Sequence, residues 1–126
     1  MVGSLPGWIW VAAGGAAGSL LRYAFGNLAS PWASRFPWGT FASNVAGCFL
    51  IGVFTAVLAD RPQLHPHWRL LLATGLCGGF TTLSSLLLET DRMVRSGRWI
   101  AGGSYLGSTL FLSGFALVCG LAIVRK

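Results

Sequence analysis

Charge is what this chain has least of. Only 10% of its 126 residues are charged, against 54% hydrophobic. A soluble domain carries roughly 25% charged residues, so the shortage places the chain among membrane proteins. Acid is scarcest: Asp60, Glu89 and Asp91 are the whole complement of 3 carboxylates. None falls at the middle of an apolar segment. That excludes paired carboxylates for general acid–base work and disfavours proton coupling, which needs an Asp or Glu within a span. Cysteine is sparse as well. Cys48, Cys77 and Cys119 each stand alone in apolar sequence, with no CxxC pair and no neighbouring histidine, and read as packing. His65 and His67 lack a convergent third ligand, so neither a metal nor a pH site is read there. No Ser/His/Asp set is plausibly placed. The stretch from Gly75 to Thr82 lacks the lysine of a phosphate loop. The 9 Lys and Arg residues give a net charge of +6, but no basic run exceeds Arg125-Lys126. This reads as membrane flanks and a field favouring anions, with no nucleic-acid partner.

What is present is long apolar sequence. A transmembrane helix needs about 20 residues, and four such spans account for most of the length. They are expected at about 7–27, 38–59, 68–93 and 99–124, as one domain. The N-terminus has no basic n-region and its apolar stretch is too long for a signal peptide, so it is expected to be a retained first span. In that span Trp8 and Trp10 suit one interface and Tyr23 the other, and Gly14 to Gly18 form a small-residue face for close helix contact. Arg22 closes it, either as a snorkelling end residue or as a fold anchor or vestibule residue. In the second span Thr40, Asn44, Gly47 and Thr55 share one face. Asn44 needs partners in hydrocarbon, so it faces protein or water, as an interhelical bond, a pore residue or both.

The third span carries the feature around which the rest is organised, Gly78-Gly79-Phe80-Thr81-Thr82. Glycine and threonine continue a helix poorly, so the third helix is expected to be broken at mid-membrane. Unwound backbone at that depth must be buried in protein or line a polar site. Glu89 and Asp91, near the far end, are expected to pair with Arg92 or Arg95. In the fourth span Tyr105, Ser108, Thr109 and Ser113 form a hydroxyl stripe, either back-bonded to its own helix or a polar track. Arg61, Arg69, Arg125 and Lys126 fall on one side of the bilayer, against Arg35, Arg92, Arg95 and Arg98 on the other, with Arg22 a possible fifth. Such a balance gives the positive-inside rule nothing to act on, so two copies in opposite orientations are expected to pair as an antiparallel homodimer. The chemistry left is a passive polar path suited to a small anion. A small multidrug-type transporter shares the size and topology but needs a mid-membrane carboxylate.

Three stretches together resemble the Fluc/CrcB family of fluoride ion channels. They are Gly14-Gly15-Ala16-Ala17-Gly18-Ser19-Leu20-Leu21-Arg22-Tyr23, Gly39-Thr40 through Asn44 and Gly47 to Gly52, and Gly75-Leu76-Cys77-Gly78-Gly79-Phe80-Thr81-Thr82. The resemblance implies an all-α membrane protein of four transmembrane helices per subunit, forming a dual-topology dimer that exports fluoride passively across the inner membrane. It implies a structural sodium ion held by the backbone carbonyls of Gly78 and Thr81 from both copies. It also implies a fluoride path lined by Asn44 and the hydroxyls of Tyr105, Thr109 and Ser113, with Thr82, Ser84 and Ser85 beside it, and it matches Arg22 to the family's first-span arginine. At one point the chain departs from the pattern. The family's two phenylalanines after the break are Leu83 and Leu86 here. A ring edge carries positive quadrupole that attracts an anion, and leucine has none. The departure leaves open a channel relying on Ser84 and Ser85, a subunit that needs a phenylalanine-bearing partner, and a non-conducting subunit.

Overall fold

The computed structural model describes residues 5–125. Among these the chain is helical, without strands: α1 (Gly7–Ala29), a 3-10 turn (Ser30–Trp32), α2 (Trp38–Ala59), α3 (His67–Arg69), a π-helical stretch (Leu70–Cys77), α4 (Gly78–Phe80), α5 (Leu83–Arg95) and α6 (Trp99–Val124). Three segments are long and apolar enough to cross a membrane: Trp38–Ala59, His67–Arg95 and Trp99–Val124. The expected first span is the exception. α1 has 23 residues, about 35 Å at 1.5 Å each, but glycine, Ser19, Arg22 and Asn27 dilute its apolar character.

Close backbone contact holds α1 in the bundle. Gly14 and Gly18 are buried against the third span, where a methyl group would strike the carbonyl oxygens of Leu71 and Leu76. Gly79 approaches Gly15 equally closely from the other side. A second seam joins α2 to α6. A Cβ on Gly52 would meet the Leu117 carbonyl, and one on Gly120 the Phe49 carbonyl. Glycines at both seams let the helix axes approach until dispersion contacts replace the missing hydrophobic drive between helices in lipid. Large apolar side chains such as Ile100, Phe111, Phe115 and Ile123 remain on the outside of α6.

The third helix breaks, but not at the glycines. Gly78 keeps helical angles (φ −61°, ψ −39°). The extended residues are Thr81 (φ −87°, ψ 154°) and Thr82 (φ −153°, ψ 115°). Packing against α1 holds Gly79 helical, while the threonine hydroxyls compete for backbone partners. Thr81 donates both its N–H and its Oγ1–H to the Cys77 carbonyl, at 3.0 and 2.9 Å. Thr82 Oγ1 accepts from Ser85 N at 3.2 Å and so caps α5.

The link from α5 to α6 is a tight C-terminal cap. Gly97 has φ 81°, a value that favours glycine. Its N–H bonds the Val94 carbonyl and the Arg98 N–H the Met93 carbonyl, the paired arrangement that closes many helices. Arg98 Nη2 then donates to the Arg35 carbonyl at 2.8 Å, so the first and third loops share one end of the bundle. At the other end Trp10 stacks on His67 at 5.1 Å. Trp8 stays 70% exposed.

Candidate functional site

Asn44 organises the break. It is buried on α2, its Oδ1 accepts from Thr82 N at 2.7 Å, and its Nδ2 donates to Thr82 O at 3.1 Å. One amide therefore satisfies both backbone groups of an extended residue. The clamp has a consequence one turn back. In a continuous helix the Thr82 N–H would bond the Gly78 carbonyl, and the Ser85 N–H would bond the Thr81 carbonyl. Both donors are diverted, to Asn44 and to Thr82 Oγ1. The Gly79 carbonyl instead accepts from Arg22 Nε at 3.1 Å. Arg22 is thus tied to the break across the α1 seam.

The carbonyls of Gly78 and Thr81 are left without their helical donors. Gly78 is exposed, with nothing within 4 Å of where its Cβ would stand. Two such carbonyls are hard oxygen ligands. They suit a hard cation better than any softer metal. No group of three His, Cys, Asp or Glu side chains that could hold a metal exists among the described residues.

Two polar stripes lead away from the break. On α2, Thr40, Asn44 and Cys48 follow at intervals of four residues. On α6, Tyr105, Thr109 and Ser113 do the same. The helices run parallel, Thr40 and Tyr105 share Glu89, and Asn44, Cys48, Thr109 and Ser113 line one cavity, so the stripes lie side by side. Back-bonding accounts for part of the α6 stripe. Thr109 and Ser108 donate to the Tyr105 carbonyl at 2.6 and 3.3 Å. Tyr105 and Ser113 are different. The Tyr105 hydroxyl goes to Glu89, and Ser113 Oγ has no partner among the described residues. Ser84 and Ser85 are bound up with Thr82, their hydroxyls 3.1 and 3.2 Å from its Oγ1. Thr55 does not join the α2 stripe; it is exposed at the far end, in a cavity of 370 Å³ with Arg61, His65 and Arg69.

Glu89 overturns an expectation. It does not pair with an arginine. Its carboxylate accepts from Thr40 Oγ1 at 2.9 Å and from the Tyr105 hydroxyl at 2.5 Å. Asp91 alone forms the expected pair, with Arg95 at 2.7 Å. Both partners of that pair are exposed, so it contributes little. The period of α5 carried the signal: Glu89 falls between the buried Leu86 and Met93, three residues after one and four before the other. Replacing Glu89 with alanine leaves two inward hydroxyls unpaired. The expected cost is about 2–3 kcal/mol, read as a lower thermal midpoint in detergent, with Glu89→Gln losing about half as much.

Two cavities lie along the stripes, and this carboxylate lines the first of them. One of 430 Å³ opens near the first and third loops, lined by Gly26, Gly39, Thr40, Glu89, Arg92 and Arg98. The other, of 180 Å³, lies deeper, among Asn44, Cys48, Thr82, Leu83, Leu86, Thr109 and Ser113. The two leucines are not equivalent. Leu83 is 62% exposed, whereas Leu86 is 2% exposed and packs with Met93 and Tyr105.

Residues 9–121 match the family described as CrcB-like protein, Camphor Resistance (CrcB). The chain belongs to the CrcB family. Every residue of the clamp, the stripes and the deeper cavity lies inside the matched region. The chain is 47% identical over 120 residues to a protein of Rhizobium etli (strain CIAT 652) called "Fluoride-specific ion channel FluC", covering 91% of this chain and 93% of that one. It is 43% identical over 116 residues to "Fluoride-specific ion channel FluC 1" of Mycobacterium tuberculosis (strain CDC 1551 / Oshkosh), covering 92% and 88%. It is 43% identical over 120 residues to the protein called "Fluoride-specific ion channel FluC" in Acidobacterium capsulatum, covering 94% and 96%. In this CrcB-family chain the first-span glycines form the α1 seam, Asn44 is the clamp and Thr81 and Thr82 are the break.

Proposed function

We propose that this chain is a subunit of a passive, fluoride-selective channel of the inner membrane, working as an antiparallel pair and letting fluoride leave down its gradient. The observation that carries the reading is the line of polar groups from the Arg92 and Arg98 vestibule, past Thr40, Glu89 and Tyr105, to the cavity beside the break. Relatives that cover nine-tenths of the chain and are named as fluoride-specific channels support it. The path uses Asn44, Thr82, Tyr105, Thr109 and Ser113, with Ser84 and Ser85 serving through Thr82. A structural sodium sits where two copies meet, on the carbonyls of Gly78 and Thr81 from each. The balance of arginines favours insertion both ways. Arg35, Arg92, Arg95 and Arg98 stand at one end and Arg61, Arg69 and Arg125 at the other, while Lys126 lies outside the described residues. A multidrug-type transporter is less well supported, because the inward carboxylate Glu89 is already bonded to Thr40 and Tyr105.

A second reading, a subunit that conducts only beside a phenylalanine-bearing partner, draws on Leu83, which lines the path without a ring edge. Fluoride and chloride efflux from proteoliposomes holding the purified chain alone separates the two. Fluoride efflux without chloride efflux is expected, and no efflux of either anion leaves only the partnered or non-conducting forms. The leucines give a finer test. Leu83→Phe adds a ring at an exposed position and is expected to raise fluoride efflux. Leu86→Phe overfills a closed core and is expected to cost about 1–3 kcal/mol in stability.

A further inference from the structure

The end of the bundle away from Arg92 and Arg98 holds a cavity that the ion path does not use. It measures 370 Å³ and lies between the end of α2 and the start of the third span, with Thr55, Leu58, Arg61, Leu64, His65 and Arg69 among its lining residues. Among the described residues the side chains of Arg61 and Arg69 have no hydrogen-bond or ion-pair partner, whereas Arg22, Arg95 and Arg98 each have one. Asp60, next to Arg61 in sequence, is not part of the wall, so the two charges there are uncompensated. His65 Nδ1 accepts from the His67 N–H at 3.3 Å, which leaves Nε2 as the donor of the neutral ring. Arginines at span ends ordinarily snorkel one by one. Here a short loop, restricted by Pro62 and Pro66, brings one arginine from each side of the turn to a single cavity.

The neighbours fix the depth of this cavity. α2 has 22 residues, about 33 Å at 1.5 Å each, so its end reaches the edge of a hydrocarbon core about 30 Å thick. Trp68, beside Arg69, and Trp8, at the start of α1, are both exposed. The stack of Trp10 on His67 puts that start of α1 at the same end. Exposed tryptophans at span ends mark the headgroup level. A basic cavity between spans at that level suits a lipid phosphate, and guanidinium groups match its oxygens in pairs.

We propose that this cavity binds the phosphate of an anionic phospholipid between Arg61 and Arg69, with His65 and Thr55 as further donors and Leu58 and Leu64 against the glycerol and first acyl carbons. The site rests on the membrane placement of the spans and not on the channel reading. A choline headgroup is disfavoured, because its ammonium would meet two arginines and no carboxylate on the wall.

The experiment is native mass spectrometry of the full chain released from detergent micelles, titrated with phosphatidylglycerol or phosphatidylcholine. One phosphatidylglycerol per chain is expected, bound roughly thirtyfold more tightly than phosphatidylcholine, from two arginines acting on one phosphate. Arg61→Gln and Arg69→Gln should each lower that ratio about fivefold, and the double variant should bring it near one. Arg61→Lys/Arg69→Lys, which keeps the charge, should retain most of it. Arg35→Gln/Arg125→Gln removes the same charge from exposed arginines outside the cavity and should leave the ratio unchanged. Equal binding of the two lipids by the full chain would overturn the proposal. So would an unchanged ratio in both single glutamine variants, or an equal fall in the Arg35/Arg125 control. Inorganic phosphate separates the two sources of the ligand. At the lipid's own concentration it should not displace phosphatidylglycerol, since it gains nothing from the apolar wall, and displacement there would overturn the lipid as occupant.

Discussion

Asn44→Ala is expected to abolish fluoride efflux and to destabilise the chain by about 2–5 kcal/mol. The size follows from what the side chain holds. The Thr82 N–H and C=O both point to Asn44, at 2.7 and 3.1 Å. Alanine leaves both partly buried groups without that partner, and an orphaned buried polar group costs about 1–3 kcal/mol. The loss also reaches further. Without the clamp, Thr82 can return to helical angles and its N–H to the Gly78 carbonyl, which removes one of the two oxygens freed for a cation. The variant is therefore expected to lose any stabilisation that sodium gives over potassium, measured as thermal midpoints in the two salts. Asn44→Asp separates the two roles. It keeps the acceptor for the Thr82 N–H, loses the donor and sets a carboxylate against the Thr82 carbonyl, so it should also fail to conduct. An Asn44→Ala protein that melts and conducts like the parent would show that the break holds itself open.

The second large effect lies at the α1 seam. Gly14→Ala and Gly18→Ala each drive a methyl group into a backbone carbonyl, Leu71 in one case and Leu76 in the other. Backbone cannot rotate out of the way as a side chain can, so each is expected near the upper end of overpacking costs, about 3 kcal/mol. The double variant should separate α1 from the third span, and with it the Arg22 bond to the Gly79 carbonyl. A glycine in open space is the matching control. Gly103 has nothing within 4 Å of its Cβ position, and Gly103→Ala is expected to stabilise α6 by up to about 1 kcal/mol through helix propensity. Thermal unfolding in detergent reads all of these. Equal midpoints for the seam and control variants would remove close contact as the reason for the seam glycines.

Much of this arrangement is legible before any fold is known. The apolar segments, the glycine face of the first span, the interrupted third span and the isolated polar residues of α2 and α6 are local facts. Each depends on the cost of moving one side chain or one peptide unit from water into lipid, which acts residue by residue and leaves a periodic trace. The break is a partial case. Gly78-Gly79-Thr81-Thr82 marks the place, but glycine propensity alone points to the wrong residues. Contact with α1 keeps Gly79 helical, and side-chain competition opens the chain at the two threonines.

Other features were decided only by the tertiary structure. Glu89 has three arginines within nine residues, and local charge points to them. It bonds instead to Thr40 and Tyr105, 49 and 16 residues away in the chain. Leu83 and Leu86 look alike in sequence, yet one is exposed beside a cavity and the other closed in the core. Cys48, Cys77 and Cys119 are three similar thiols until packing puts one of them in a cavity. The reason is common to all. Hydropathy fixes whether a group leaves water, but a buried donor or acceptor must find a partner, and which partner it finds depends on the segments that the fold brings alongside it. By itself, the sequence determined that these helices lie in lipid and where their regularity weakens; the packing of α1, α2 and α6 around the third span decided which groups meet there.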